Sequence, residues 1–212
     1  MSKIFNKEVL KQIKEGFNEI KNPIKIITFV ENKKPLCDEV VEMMVELSTL
    51  NDKIEFIEYD FIEDNELAKK YGINKVPGTT FLINNKHNRI KFYGLPNGHQ
   101  VNSLLFAMLE SSNTTTLLES KLIDDIQKIK KKINIKVFVN LQCPHCPKAV
   151  ITAFKIALIN KNIDVEIIQT NLYSNLSNKF KVNSVPRIFF NDKNDLLGAQ
   201  PIELFIEKLK NI

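Results

Sequence analysis

The feature that most constrains the fold of this chain is an internal repeat with a fixed offset. The segment IKIITFV at 24–30 resembles INIKVFV at 133–139, so the offset is 133 − 24 = 109 residues. The same offset aligns three further pairs: Cys37 with Cys146, Pro77 with Pro186, and YGINKVP (71–77) with FKVNSVP (180–186). One register that holds across separate segments, at about half of the 212-residue length, indicates two copies of one domain.

Each copy is predicted to have the same order of helices and strands. A helix leads into a short β-branched strand. The cysteine region, a second helix, a second strand, a short helix, two further strands and a closing helix follow. Strands separated by helices favour parallel βαβ pairing, and the two late strands favour an antiparallel hairpin. The predicted fold class is α/β, with two tandem domains that each have a central mixed sheet flanked by helices.

The boundary between the copies is predicted in the polar connection ESSNTTTLLES (110–120), near Asn113. This gives one domain at 1–112 and a second domain at 113–212. The opening helices and the helices that follow the cysteine regions are expected at about Lys3–Lys21, Thr116–Lys132, Asp38–Leu50 and Pro147–Asn160.

Composition excludes several classes of function. No run of about 18 apolar residues occurs, so we expect no membrane span, and the N-terminus lacks the apolar core of a secretory signal. The net charge of +5 is mild, and the basic run KIKKK (128–132) has no interleaved aromatics, so we expect no nucleic-acid partner. Three cysteines without a signal peptide favour a reduced compartment, and we expect a cytoplasmic protein.

The stretch LQCPHCPK (141–148) carries two of the three cysteines. Cys143 immediately follows a predicted strand, and Cys146 lies about where the next helix begins. Unpaired N–H groups and the helix dipole favour a thiolate at this position. The spacing brings the sulfurs close enough to bond while the first faces outward. Cys143 could then attack a substrate disulfide, and Cys146 could resolve the mixed disulfide.

The neighbouring residues suit such a dithiol. Pro144 restricts the loop, and Pro147 fits a first helical turn, where its missing N–H costs nothing. His145, when protonated, would place positive charge beside the thiolate and favour an easily reduced, more oxidising disulfide. The alternative is that His145 is only a solvent-exposed spacer.

The paired cysteines have two other interpretations. A structural zinc site commonly needs four ligands, but His87, His99 and Cys37 are isolated from the pair in the sequence. We therefore expect no metal. Two cysteines with no chemical role are the remaining alternative, which the strand–CxxC–helix context disfavours.

The second half resembles a thioredoxin-fold domain, because a Val-Pro follows the second cysteine by 186 − 146 = 40 residues. CPHC resembles the CPYC of glutaredoxins and matches the dipeptide of the oxidising DsbA-type enzymes. The tandem arrangement resembles the glutaredoxin-like protein disulfide oxidoreductases of archaea and thermophilic bacteria. Segments typical of that family are DKIEFIEYDF, ELAKKYGINKVPGTT, FYGLPNGH and VNLQCPHCPKAV, and the resemblance covers essentially the whole chain.

The resemblance implies a thiol–disulfide oxidoreductase that contributes to cell redox homeostasis without a bound cofactor. It implies that Pro186 is cis and faces the disulfide, and that Pro186 and the Val185 backbone hold an extended substrate chain. The implied partners are protein disulfides or dithiols and a separate NADPH-dependent, thioredoxin-reductase-like flavoprotein. A flavin site within the chain is not expected, since no G-x-G-x-x-G occurs.

The chain departs from that family in the first half, where members usually carry a second CxxC. Here Lys34 replaces the attacking cysteine, so the first domain is predicted to be non-catalytic. Cys37 is predicted to be an inert, partly buried helix residue, and a regulatory thiol is the alternative. Thioredoxins also carry a buried acid on the strand before the motif, whereas Ile135–Leu141 contains none. Glu166 on the neighbouring strand is the weak candidate for the proton acceptor of Cys146.

Two alternative functions stay open beside the oxidoreductase. A tandem thioredoxin-fold unit with only its second CxxC intact also begins the AhpF-type peroxiredoxin reductases. The chain could therefore relay electrons to a peroxiredoxin from a separate flavin-dependent reductase. The other alternative is a non-enzymatic substrate-binding or chaperone module whose cysteines have no role.

Overall fold

The computed structural model describes residues 4–113 and 118–212, which divide into two compact units. Unit 1 comprises 4–95 and 108–113, and unit 2 comprises 96–107 and 118–212. The segment 96–107 thus belongs with the second unit, although it precedes the predicted boundary near Asn113. That boundary falls beside residues outside the described ranges and stays a prediction.

Unit 1 has a mixed sheet with the strand order β2-β1-β3-β4. β1 and β2 are parallel, and the antiparallel strands β3 and β4 follow. The elements are α1 (Lys7–Phe17), β1 (Ile24–Val30), α2 (Cys37–Ser48), β2 (Ile54–Asp60), α3 (Asn65–Tyr71), β3 (Gly78–Ile83) and β4 (Lys86–Tyr93), and α4 (Gln100–Asn113) follows β4 in the chain.

Unit 2 repeats this arrangement with the strand order β6-β5-β7-β8. β5 and β6 are parallel, β7 is antiparallel to β5, and β8 is antiparallel to β7. The elements are α5 (Ser120–Gln127), β5 (Ile133–Val139), α6 (Cys146–Ile159), β6 (Ile163–Gln169), α7 (Ser174–Lys179), β7 (Arg187–Phe190), β8 (Asn194–Leu197) and α8 (Ile202–Lys210).

Apolar side chains on both faces of the central strand form the core of unit 2. Ile135 and Val137 of β5 are fully buried, and so is Phe138, which points to the opposite face because strand side chains alternate. Phe138 contacts Phe180 and Phe189 in an aromatic cluster. Burying each such side chain stabilises the fold by roughly 1.5–3 kcal/mol. This core fixes the end of β5, from which the loop to α6 departs.

The predicted fold class is confirmed, since each unit is a central mixed sheet flanked by helices. The β-branched runs at 24–30 and 133–139 form β1 and β5, whereas the strand expected at Ile135–Leu141 ends two residues earlier, at Val139. The helices differ at their ends: α2 and α6 each begin one residue earlier than predicted, at the cysteines themselves. The predicted helix starts at Lys3 and Thr116 lie outside the described residues. No helix in the described part of the chain is both long enough and apolar enough to cross a membrane.

His87 in β4 is a half-buried histidine that is neutral in the folded state at neutral pH. Its Nε2 lies 2.8 Å from Thr80 Oγ1. Burial, and then the charges of Lys91 and Arg89, lower the pKa of His87 to about 4. Since a free histidine titrates near 6.5, the unfolded chain takes up this proton first as the pH falls. The stability that neutral His87 contributes is therefore complete above about pH 6.5 and is lost between about pH 6.5 and pH 4.

Replacing His87 with glutamine is expected to flatten the acid side of the stability profile. Between pH 7 and pH 5 the free energy of unfolding should fall by about 2 kcal/mol less than in the parent protein. Urea unfolding at half-unit pH steps measures this difference. His99→Gln, at an exposed histidine, is the matched control. Parallel profiles for His87→Gln and the parent protein would contradict the prediction.

Candidate active site

Cys143 and Cys146 form a disulfide in the turn between β5 and α6, with their Cα atoms 5.5 Å apart. β5 ends at Val139, and α6 begins at Cys146. Asn140 organises the turn, because its side-chain oxygen accepts from the Gln142 N–H at 2.9 Å and its carbonyl accepts from the Cys143 N–H at 3.2 Å. Asparagine commonly stabilises turns in this way.

The two sulfur-bearing residues differ in exposure. Cys146 is fully buried in the first turn of α6, whereas Cys143 is partly exposed. An incoming protein thiol or disulfide can therefore reach Cys143 and not Cys146. This asymmetry suits Cys143 as the attacking residue and Cys146 as the internal one.

The surroundings of Cys143 favour a negatively charged sulfur. The N–H of Cys146 donates to Cys143 Sγ at 3.1 Å. The sulfur also stands at the N-terminal end of α6, a helix of 14 residues. Free N–H groups and the helix dipole at such an end stabilise a thiolate relative to a thiol. After reduction, Cys143 is therefore the better nucleophile of the pair.

The loop before β7 lies against the disulfide. Cys143 Sγ is 3.8 Å from the carbonyl oxygen of Val185, and the Val185–Pro186 peptide is cis. Pro186 is buried, and its carbonyl accepts from the Gly198 N–H at 2.8 Å. The structure thus brings Val185 and Pro186 to the disulfide, and their role in substrate binding stays a prediction.

Pro144 and His145 form the exposed bridge between the cysteines. His145 is the N-cap residue of α6, but its side chain makes no capping hydrogen bond. The imidazole therefore does not cap the helix. Redox tuning and a simple spacer role both remain compatible with this position.

Unit 1 has a similar turn but lacks the pair of cysteines. The N–H of Cys37 donates to the Lys34 carbonyl at 3.4 Å, just as the N–H of Cys146 donates to the Cys143 carbonyl at 3.4 Å. The Lys34 ammonium is half-exposed and pairs with Glu31 at 3.4 Å. Cys37 is a buried free thiol, and burial raises its pKa. It therefore has neither a partner sulfur nor the thiolate character of a reactive cysteine.

The structure places Glu166, the weak candidate for the proton acceptor of Cys146, beside Asn134. Glu166 is buried in β6, and its carboxylate accepts from the Asn134 side chain at 2.7 Å. Asn134 stands near the start of β5, and a strand rises roughly 3.3 Å per residue, so it lies about 16 Å from Val139 at the other end. The carboxylate is thus held at the end of the sheet away from the cysteines.

The sequence prediction missed one contact at the site. The N–H of His99 donates to the carbonyl of Leu141, two residues before Cys143, at 3.1 Å. Both residues belong to unit 2. The signal in the sequence is the Asn-Gly-His stretch after the late strand pair, which by itself predicts only a turn. Within the described residues no group of three or more metal-ligating side chains forms a candidate metal site.

Comparison with known proteins supports this fold. A family model described as a thioredoxin domain matches residues 133–211, which include both cysteines of the disulfide. A structure of the alkylhydroperoxide reductase AhpF from Enterococcus faecalis superposes with a TM-score of 0.92 and 27% identity, over 98% of this chain and 100% of that chain. The chain thus folds as two tandem thioredoxin-like domains. A protein disulfide oxidoreductase from Aeropyrum pernix has the same fold, with a TM-score of 0.89 at 20% identity over 97% of this chain and 92% of its own.

The curated relatives are longer proteins. The AhpF-type alkyl hydroperoxide reductase of Pseudomonas putida is 24% identical over 200 residues, which are 93% of this chain and 36% of that protein. The chain thus spans little more than a third of the length of such relatives. The predicted resemblance to tandem thioredoxin-fold redox proteins is confirmed.

Proposed function

We propose that this tandem thioredoxin-fold chain is a thiol–disulfide oxidoreductase that exchanges disulfides with protein substrates through Cys143 and Cys146. The observation that carries the proposal is the Cys143–Cys146 disulfide at the start of α6, with one cysteine exposed and the other buried. Chemically inert cysteines need neither this asymmetry nor the Cys146 N–H directed at the outer sulfur.

The reduction of a substrate disulfide proceeds in two exchanges. The Cys143 thiolate attacks one substrate sulfur, a mixed disulfide forms, and the other substrate sulfur leaves as a thiolate. The Cys146 thiolate then attacks Cys143 Sγ, which releases the second substrate thiolate and forms the Cys143–Cys146 disulfide. Two electrons pass to the substrate, whose thiolates take up protons from solvent. The reverse sequence oxidises a substrate dithiol.

The residues around the disulfide have distinct proposed roles. The Val185 backbone and Pro186 hold the extended substrate chain beside Cys143, which the 3.8 Å approach of the Val185 carbonyl supports. His145 and Pro144 tune the reduction potential from the exposed bridge. The first domain, 1–112, serves as a non-catalytic unit, and the second, 113–212, carries the chemistry.

After each turnover, a separate dithiol or flavoprotein must reduce the Cys143–Cys146 disulfide again. We propose an NADPH-dependent, thioredoxin-reductase-like flavoprotein as the donor and the cytoplasm as the compartment, where the chain contributes to redox homeostasis. The similarity to the AhpF-type alkyl hydroperoxide reductases favours a second candidate, in which the chain relays electrons to a peroxiredoxin. In that case the acceptor disulfide belongs to the peroxiredoxin.

Insulin reduction by dithiothreitol tests the proposal. Catalytic amounts of the protein should shorten the delay before the insulin B chain precipitates, and alkylation of the reduced protein should remove the effect. No acceleration would overturn the oxidoreductase. NADPH loss that requires both a flavoprotein and a peroxiredoxin would support the relay instead. Suppression of aggregation that survives alkylation would indicate a chaperone module.

A further inference from the structure

A backbone contact from the segment at 96–107 reaches the loop that carries Cys143. The His99 N–H donates to the Leu141 carbonyl at 3.1 Å. The other backbone–backbone bonds of this turn join its own residues, such as the Cys143 N–H to the Asn140 carbonyl. The His99 bond instead crosses 141 − 99 = 42 positions in the sequence. It therefore anchors the loop to a separate segment of the same unit.

Gly98 makes this anchoring possible. Its φ is +57°, a conformation that residues with a side chain rarely adopt. A Cβ added there would lie 2.7 Å from the Leu141 oxygen and 3.4 Å from its carbonyl carbon. Those are backbone atoms, so they cannot swing aside as the end of a flexible side chain can. Any residue larger than glycine at 98 must displace either its own segment or the loop before Cys143.

In the part of the chain that the structure describes, the corresponding turn of the unit without a redox pair receives no such backbone bond. At the offset of 109 residues, Asn32 corresponds to Leu141, since 32 + 109 = 141. Among the described residues, no backbone amide donates to the Asn32 carbonyl in a turn or loop bond. The two turns nevertheless share the same internal backbone bond. The Lys34 N–H donates to the Glu31 carbonyl in unit 1, and the Cys143 N–H donates to the Asn140 carbonyl in unit 2. The anchor thus accompanies the disulfide and is not needed to form the turn itself.

We propose that Gly98 and the His99 amide act as a positioning clamp that sets the reactivity of the Cys143–Cys146 pair. The clamp holds Leu141, and through it Cys143, so that the Cys146 N–H is directed at the outer sulfur. That hydrogen bond stabilises the reduced, thiolate form. Loosening the clamp therefore disfavours reduction. The inference rests on the proposed redox role of the pair and deepens it, because it adds residues that tune the same site.

The test compares Gly98→Ala with a matched glycine. Gly72 also has a positive φ, of +67°, but a Cβ there meets only the flexible end of the Lys91 side chain. Each variant is equilibrated with reduced and oxidised glutathione, and thiol labelling gives the reduced fraction. In Gly98→Ala the equilibrium constant for reduction should fall about tenfold, or about 30 mV for this two-electron couple. Gly72→Ala should match the parent protein.

Two further measurements separate the clamp from a general loss of structure. The pH profile of Cys143 alkylation by iodoacetamide should move upward by about one pH unit in Gly98→Ala and stay unchanged in Gly72→Ala. His99→Ala keeps the backbone amide and should leave both quantities unchanged. In the oxidised parent protein the His99 amide should resist hydrogen exchange, although the residue is exposed.

Three results would overturn the clamp. These are parent-like values in Gly98→Ala, a shift in His99→Ala as large as that in Gly98→Ala, and unprotected exchange of the His99 amide. The last does not depend on whether Gly98→Ala folds. Glutathione and iodoacetamide report on the cysteine pair without a protein substrate. Failure of the insulin assay would thus remove the proposed function and leave the clamp measurements interpretable.

Discussion

Insulin reduction is expected to slow by at least about 100-fold when Cys143 is replaced by serine. Cys143 is the partly exposed member of the disulfide, and its sulfur receives the Cys146 N–H. A serine hydroxyl does not ionise near neutral pH and cannot form a mixed disulfide, so the first exchange has no nucleophile. Buried Cys146 cannot take its place. The rate of insulin precipitation with dithiothreitol, corrected for the uncatalysed reaction, gives the loss.

The matched control is the third cysteine. Cys37 is buried in α2 of the other unit and has no partner sulfur. Cys37→Ser should retain the parent rate within about twofold, since it changes no atom of the redox pair. Circular dichroism of both variants checks that the fold is kept. Parent-like activity in Cys143→Ser would remove the proposed mechanism.

The strands are the most predictable part of the fold. β1 and β5 coincide with the compact β-branched runs at 24–30 and 133–139, and each strand is buried on both faces. Helix ends are less predictable, since they depend on single hydrogen bonds. α1 begins at Lys7 because the Asn6 side chain accepts from the Val9 N–H at 2.9 Å. The helical charge pattern continues on both sides of that cap and does not reveal it.

The chemistry of the candidate site is predictable because it is local in sequence. A CxxC between a strand and a helix determines which sulfur faces outward and which amide lies beside it. The repeat adds what a motif cannot: it identifies Lys34 as the residue that stands where Cys143 stands in the other unit. The matching Cys37 and Cys146 turn bonds agree with that alignment.

The remaining parts of the site depend on which groups meet in three dimensions. Glu166 is a candidate in the sequence because its strand neighbours the motif, but its position along the strand places it beside Asn134. Gly98 resembles an ordinary turn glycine in the sequence. Its importance appears only once the Leu141 carbonyl oxygen is found 2.7 Å from the position that a Cβ would take. The local sequence pattern does not show which side chain of a neighbouring strand a residue will meet, or which distant loop will approach it.

Removing Cys146 is expected to convert the catalyst into a covalent trap. Reduced Cys146→Ala, mixed with excess oxidised glutathione, should accumulate a glutathione adduct on Cys143 in most molecules. The outer sulfur can still attack, but no thiolate stands behind it to resolve the mixed disulfide. In the parent protein Cys146 lies in the first turn of α6 with its N–H 3.1 Å from Cys143 Sγ, so resolution is intramolecular and the adduct is short-lived. Intact-mass spectrometry after acid quenching measures the adduct.

The location of that adduct is decisive because the three cysteines differ in exposure. Cys143→Ser should form almost none, because Cys146 and Cys37 are both inaccessible in the folded chain. Peptide mapping of Cys146→Ala should place the adduct on Cys143, and dithiothreitol should release it. Equal adduct levels in the parent protein and Cys146→Ala would mean that Cys146 does not resolve the mixed disulfide. An adduct on Cys37 would contradict the burial that makes this thiol inert. Trapping on Cys143 alone assigns attack to the partly exposed sulfur and resolution to the buried one, as their difference in exposure predicts.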